Sequence, residues 1–166
     1  MQITFRLCKM FKAIASEFTV PAKKKFIKQE IGPLSQENVK FICRMVISEL
    51  MELASTVVPD PVQFVKDCSD TDLPKKYTGK DDKDKLAAQC DAVIDMAYYL
   101  GDTIKVNTGL PEDTLDLVFE KVHAANLKKV FPDGEFHTRE DGKVIKPEGW
   151  KEPDLIPLIT SKMEKM

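Results

Sequence analysis

The chain has no Cys-x-x-Cys pair, no glycine-rich phosphate loop, no zinc-ligand spacing and no nucleophilic Ser or Cys motif. Most short signatures of catalysis or metal binding are therefore missing. No apolar run approaches the roughly 20 residues that a membrane helix needs. The opening residues, Met1 to Met10, carry Arg6 and Lys9 in place of an uninterrupted apolar stretch, which argues against a secretory leader. Charge of one sign is also lacking: the formal net charge is −2, with both signs interspersed, so neither a basic nucleic-acid face nor an acidic tail stands out. The four cysteines, Cys8, Cys43, Cys68 and Cys90, are scattered, and three of them fall in apolar helical patterns where a thiol serves as a small hydrophobe. Together these absences lead us to expect a soluble protein of the cytoplasm with reduced thiols, no membrane association and no nucleic-acid polymer as partner.

What is present is helical periodicity. With 166 residues, 43% of them hydrophobic, the sequence suffices for one domain with a core, and nothing in it requires two. We therefore expect a single domain over 1–166. Phe5, Leu7, Cys8, Phe11, Ile14 and Ala15 suggest a first short helix over 4–16, which Thr19-Val20-Pro21 should end. After Gly32-Pro33, Ser35 stands at an N-cap position, and Val39, Ile42, Cys43, Val46, Leu50, Leu53 and Val57 follow at steps of three and four. From Pro59 to Lys85 the pattern breaks into a long charged loop, with Val62, Phe64 and Val65 able to form one short turn of helix. A third major helix is expected from about Asp84 to Asn107, with Gly109 ending it. Pro111 opens a fourth, running to about Val130 with Leu115, Phe119, Val122 and Asn126 along one stripe. Glu135 to Lys146 reads as a hairpin turning at Asp141-Gly142, and Leu155, Leu158, Ile159 and Met163 mark a short amphipathic tail.

Two pairs of acids stand out on this helical frame. Glu49 and Glu52 lie three residues apart on the second helix, where like charges on one face disfavour the helix by roughly 0.2–0.5 kcal/mol unless something offsets them. Asp91 and Asp95 form a second pair, four apart, on the third helix. The residues around Asp95, from Ala92 to Leu100, are apolar or aromatic on every side, the pattern of a helix buried all round, and a buried carboxylate needs a partner. That partner can be a metal, an arginine or a helix-end hydrogen bond; the other three acids can equally be solvated surface groups. If the pairs meet, they supply the oxygen ligands that Mg²⁺ prefers, and a metal-carboxylate site suits phosphoryl transfer. His123, Asn126 and Lys129 on the fourth helix, and Lys75, Lys76 and Lys80 on the loop, are candidates to hold phosphate.

At these residues the sequence resembles the all-α nucleoside triphosphate pyrophosphohydrolase superfamily, which includes MazG-like proteins, dimeric dUTPases and phosphoribosyl-ATP pyrophosphohydrolases. The resemblance rests on Glu49-x-x-Glu52-Leu53, on Asp91-x-x-x-Asp95, and on the segments Val122-His123-Ala124-Ala125-Asn126-Leu127-Lys128-Lys129 and Arg139 to Trp150, which are similar to a phosphoribosyl-ATP pyrophosphohydrolase-like subgroup. It covers roughly residues 8 to 155. Two positions depart from the pattern: Ser48 stands where members often have another glutamate, and Ala92 where many have the first acid of a Glu-x-x-Asp pair, so Asp91 takes that role at a spacing of four.

The resemblance implies an all-α bundle of four to five helices with a small C-terminal β-hairpin, forming a homodimer or higher homo-oligomer with active sites near the subunit interface. It implies Glu49, Glu52, Asp91 and Asp95 as ligands of Mg²⁺, with Mn²⁺ as an alternative, and Asn126 and Lys129 at the phosphates; His123 remains a candidate from its place on the fourth helix. The activity it implies is hydrolysis of a nucleotide between its α- and β-phosphates. A non-catalytic nucleotide- or protein-binding dimer, and an enzyme specific for phosphoribosyl-ATP, are the alternatives.

Overall fold

The structure is a computed structural model that describes residues 9–24, 27, 30–69 and 77–164, apart from the side chains of 102–106 and 112. Phe5, Leu7, Cys8, Lys75 and Lys76 lie outside the described residues, as does the side chain of Ile104. Six helical segments run through the described residues: α1 (9–23), α2 (Gln36–Ser55), α3 (Pro61–Cys68), α4 (Asp82–Thr108), α5 (Glu112–Leu127) and α6 (Ile156–Met163). The fold is all-α. The backbone groups into two compact units, one of Glu30–Met96 and one of Met1–Gln29 with Ala97–Met166.

In the Glu30–Met96 unit, each helix starts where a side chain satisfies otherwise unpaired backbone donors. Ser35 and Asn38 form a reciprocal box at α2: Asn38 N–H donates to Ser35 Oγ at 3.2 Å, and Ser35 N–H donates to Asn38 Oδ1 at 3.3 Å. The Asp60 carboxylate accepts from Gln63 N–H at 2.9 Å to begin α3, with Pro61 in the first turn. Asp81 accepts from Lys83 and Asp84 N–H at 2.8 and 2.9 Å to begin α4. The short turn expected around Phe64 is thus a full helix of eight residues packed against α2. Ala54, at the end of α2, is buried. Gln89 ties α4 to the entry of α2: Leu34 N–H donates to Gln89 Oε1 at 2.7 Å, and Gln89 Nε2 donates to the Leu34 carbonyl at 3.2 Å.

In the other unit, α1 does not stop before Pro21. Its backbone widens to a π-helical stretch over Ile14–Thr19, with Val20 N–H donating five residues back to the Ala15 carbonyl, and it resumes as α-helix over Val20–Lys23. Proline falls in the first turn of that resumed helix, where it breaks no α-helical bond, so the helix survives a residue expected to end it. Gly109, at φ +68°, closes α4 in the left-handed region that favours glycine. α5 then runs only to Leu127, short of Val130, and carries the fully buried Thr114 together with buried Ala125. Both α1 and α6 pack on α5, and Lys162 Nζ of α6 meets Asp113 Oδ2 of α5 at 2.9 Å.

The expected C-terminal hairpin is corrected by the structure. Among the described residues there is no strand; Val130 with Phe136 and Thr138 with Val144 form isolated antiparallel bridges. The turn itself is where expected, with Gly142 at φ +87° and Arg139 N–H donating to the Lys143 carbonyl at 2.9 Å. Within the turn the Asp141 carboxylate accepts from Lys143 N–H at 3.1 Å and from Arg139 Nε at 3.1 Å.

Candidate active site

All four acids, Glu49, Glu52, Asp91 and Asp95, belong to the Glu30–Met96 unit, and all four are exposed. Asp95 is therefore not the buried, partnered group that its apolar surroundings suggest. The reason is visible in its neighbours: Val93, Ile94 and Met96 are themselves 39%, 42% and 38% exposed. A helix apolar on all faces is buried only when something covers it, and a single chain leaves this part of α4 uncovered. Leu50, Leu53 and Val57 beside the glutamates of α2 are likewise exposed.

Within one chain the two acidic pairs are not gathered. Among the described residues, no three His, Cys, Asp or Glu side chains come close enough to share a metal ion. None of the four carboxylates pairs with a described residue.

The candidate phosphate residues belong to the other unit, on α5 and just beyond it. His123 is 11% exposed; its Nε2 lies 3.3 Å from Glu17 Oε2 of α1, and its ring stacks on Phe119 at 5.4 Å between centroids. It is the most constrained of the three. Asn126 is half-buried, and Lys129, also half-buried, places Nζ 5.0 Å from the centre of the Trp150 ring. Lys80, on the approach to α4, is exposed, and its backbone N–H donates to Asp84 Oδ2 at 2.8 Å.

The segment between α5 and α6, which carries part of the family resemblance, adds groups that had no site role from the sequence. Trp150 is anchored by its indole Nε1–H, which donates to the Ala125 carbonyl at 2.8 Å, and Lys146 Nζ lies 4.4 Å from the same ring centre. This is the chain's one tryptophan, a signal that could have drawn attention to it. A groove of about 770 Å³ runs between α5 and the 147–154 segment, with Lys121, Lys128 and Trp150 along it. Nearby, the Arg139 guanidinium and the Lys143 backbone N–H hold the Asp141 carboxyl below its usual range. The Glu135 backbone N–H and His137 do the same for Asp133.

The chain shares its fold with a crystal structure of a candidate NTP pyrophosphohydrolase from Exiguobacterium sp. 255-15, with a TM-score of 0.70 and 21% identity over 94% of this chain and 96% of that one. No family model and no curated protein matches the chain.

Proposed function

We propose that the protein is a Mg²⁺-dependent nucleoside triphosphate pyrophosphohydrolase that acts as a homodimer or higher homo-oligomer. Its substrate is a (deoxy)nucleoside triphosphate or related nucleotide, cleaved between the α- and β-phosphates to a monophosphate and pyrophosphate. The observation that carries this reading is the state of Glu49, Glu52, Asp91 and Asp95: exposed carboxylates without described partners, on helices whose neighbouring apolar residues are also uncovered. The shared fold with the Exiguobacterium protein supports the same reading at the level of architecture.

The donor set is all oxygen, which suits Mg²⁺ or Mn²⁺, but one chain does not close it around an ion. In this reading a second copy covers Leu50, Leu53, Ile94 and Met96 and completes the acid set. A two-fold contact of standard size buries roughly 800 Å² per partner. The chemistry that a divalent ion supplies when bound is polarisation of a phosphoryl oxygen and activation of water near neutral pH. The four carboxylates would bind and orient that ion, while Asn126 and Lys129 would hold the phosphates, as the family resemblance implies.

The test is pyrophosphate release from a panel of nucleoside triphosphates and phosphoribosyl-ATP, with Mg²⁺ or Mn²⁺. Release that requires the metal and is lost in Asp95→Asn is the expected result. No product from any substrate with folded, oligomeric protein would contradict it. The open arrangement of the acids in one chain also suits a nucleotide-binding dimer without catalysis. That reading predicts nucleotide binding indifferent to Mg²⁺ and to Asp95→Asn.

A further inference from the structure

We infer that the acid site is built in trans: Glu49 and Glu52 on α2 of one copy face Asp91 and Asp95 on α4 of a second copy, and the reciprocal contact makes an identical set. This rests on the reading above that the four carboxylates bind a divalent ion in a homodimer. It adds which chain supplies each pair.

All four acids lie in the Glu30–Met96 unit, yet among the described residues no three Asp, Glu, His or Cys side chains come close enough to hold an ion. The way α4 is turned matches that separation. Gln89 faces the entry of α2: Leu34 N–H donates to its Oε1 at 2.7 Å, and its Nε2 donates to the Leu34 carbonyl at 3.2 Å. With about 100° of rotation per residue, Asp91 and Asp95 leave α4 about 160° and 120° round from Gln89. Their side chains therefore leave α4 on the side turned away from the place where α2 begins.

Each acid pair also sits beside an apolar side chain that its own chain leaves uncovered. On α2, Leu53 is 61% exposed and lies about 40° round from Glu49; on α4, Ile94 is 42% exposed and lies about 60° round from Asp91. A two-fold contact is reciprocal, so a face on α2 that meets α4 of the other copy is matched by the same contact in return. Such a crossing covers Leu53 and Ile94 twice and gives two identical sets, each with a glutamate pair and an aspartate pair. Pairing like faces would instead give one set of glutamates and one of aspartates. Four carboxylates gathered together repel one another unless a cation sits among them, which ties the ion to the dimer.

Subunit mixing tests this without turnover. Glu49→Gln and Asp95→Asn chains carrying different affinity tags are refolded together, and the dimer with one of each is isolated through both tags. Mn²⁺ binding is then read by electron paramagnetic resonance. Each variant homodimer should bind Mn²⁺ about tenfold more weakly than wild type or worse. In the mixed dimer both lesions fall in one set and the other set is intact, so it should bind about half as much Mn²⁺ as wild type, with wild-type affinity. The reverse pairing sharpens the result: a wild-type chain with a chain carrying both Glu49→Gln and Asp95→Asn has one lesion in each set and should lose tight binding altogether.

A mixed dimer that binds no better than its parents, or tight half-binding in the dimer of wild-type and doubly substituted chains, would overturn the inference. Both results would mean that each chain supplies its own four acids. If wild-type dimer binds Mn²⁺ tightly and only the mixing pattern fails, the trans assignment falls while the acid-site reading stands. If wild-type dimer binds no Mn²⁺, both fall.

Discussion

The two units of this chain differ in their acidic groups rather than in their apolar surface. In the unit that includes α5 and α6, charged and polar side chains find partners close by: His123 with Glu17, His137 with Asp133, Arg139 with Asp141, Lys162 with Asp113, and Trp150 with the Ala125 carbonyl. In the Glu30–Met96 unit, helix ends are capped and the backbone is regular, yet Leu53, Val57, Ile94 and the four acids face outward. Both units expose large apolar side chains, Tyr98, Tyr99, Leu100 and Ile156 in the first as well as Leu53, Val57 and Ile94 in the second; the second is set apart by its two helical acid pairs, which have no described partner. Exposed apolar side chains beside acids without described partners suit an interaction surface, and the proposed second copy and metal both act on that region.

This contrast can be broken most severely at the acids. Asp95→Asn or Glu49→Gln should lower pyrophosphate release by about 100-fold or more if these groups bind the ion. The same substitutions should leave helical content unchanged by circular dichroism, because neither carboxylate holds a described partner. A comparable effect is expected on assembly. Ile94→Glu places a charge on the proposed contact and should raise the dimer dissociation constant about 100-fold by sedimentation. Ile156→Glu, an equally drastic change on exposed α6 of the other unit, should leave it unmoved.

A smaller effect separates local from assembled stability. Ser35→Ala removes the oxygen that accepts the Asn38 N–H and should cost about 1 kcal/mol by denaturant titration. It should leave the acid-dependent activity in place at temperatures where the protein is folded. The smallest expected effect lies in acid. Asp113, Asp133 and Asp141 all have carboxyls held below their ordinary range, by Lys162, by the Glu135 N–H with His137, and by Arg139 respectively. A depressed folded-state pKa contributes stability above the unfolded value, near pH 4, which is lost as pH falls through the folded value. All three lie in the same unit as Trp150. Acid loosening should therefore register in Trp150 fluorescence, and Asp141→Asn should flatten that pH dependence.

Much of the fold was legible in the sequence because local rules governed it. Ser35 as cap, the long apolar stripe of α2, and Gly109 as a terminator all behave as their chemistry dictates. Pro21 misled because a π-helical stretch placed it in a first turn, a backbone change that no residue pattern announces. The hairpin forms its turn but pairs only at isolated bridges, an extent of pairing that turn chemistry at Asp141-Gly142 does not report. Asp95 was legible as unusual, since nothing else in the chain sets a carboxylate among so many apolar residues. Its exposure in the single chain was not legible, because periodicity reports which residues seek cover but not whether the same chain supplies it. Lys146 and Trp150 carry part of the family resemblance but received no site role, for a different reason: they lie in an irregular segment, where no periodicity relates them to Lys129.

The most direct measurement is Mn²⁺ binding by electron paramagnetic resonance, across protein concentrations that span the monomer–dimer transition. Bound Mn²⁺ per chain should rise in step with the dimer and should be lost in Asp95→Asn and in monomeric Ile94→Glu protein. Equally tight Mn²⁺ binding by the monomer, or none by the dimer, would contradict the claim that a second copy completes the acid site.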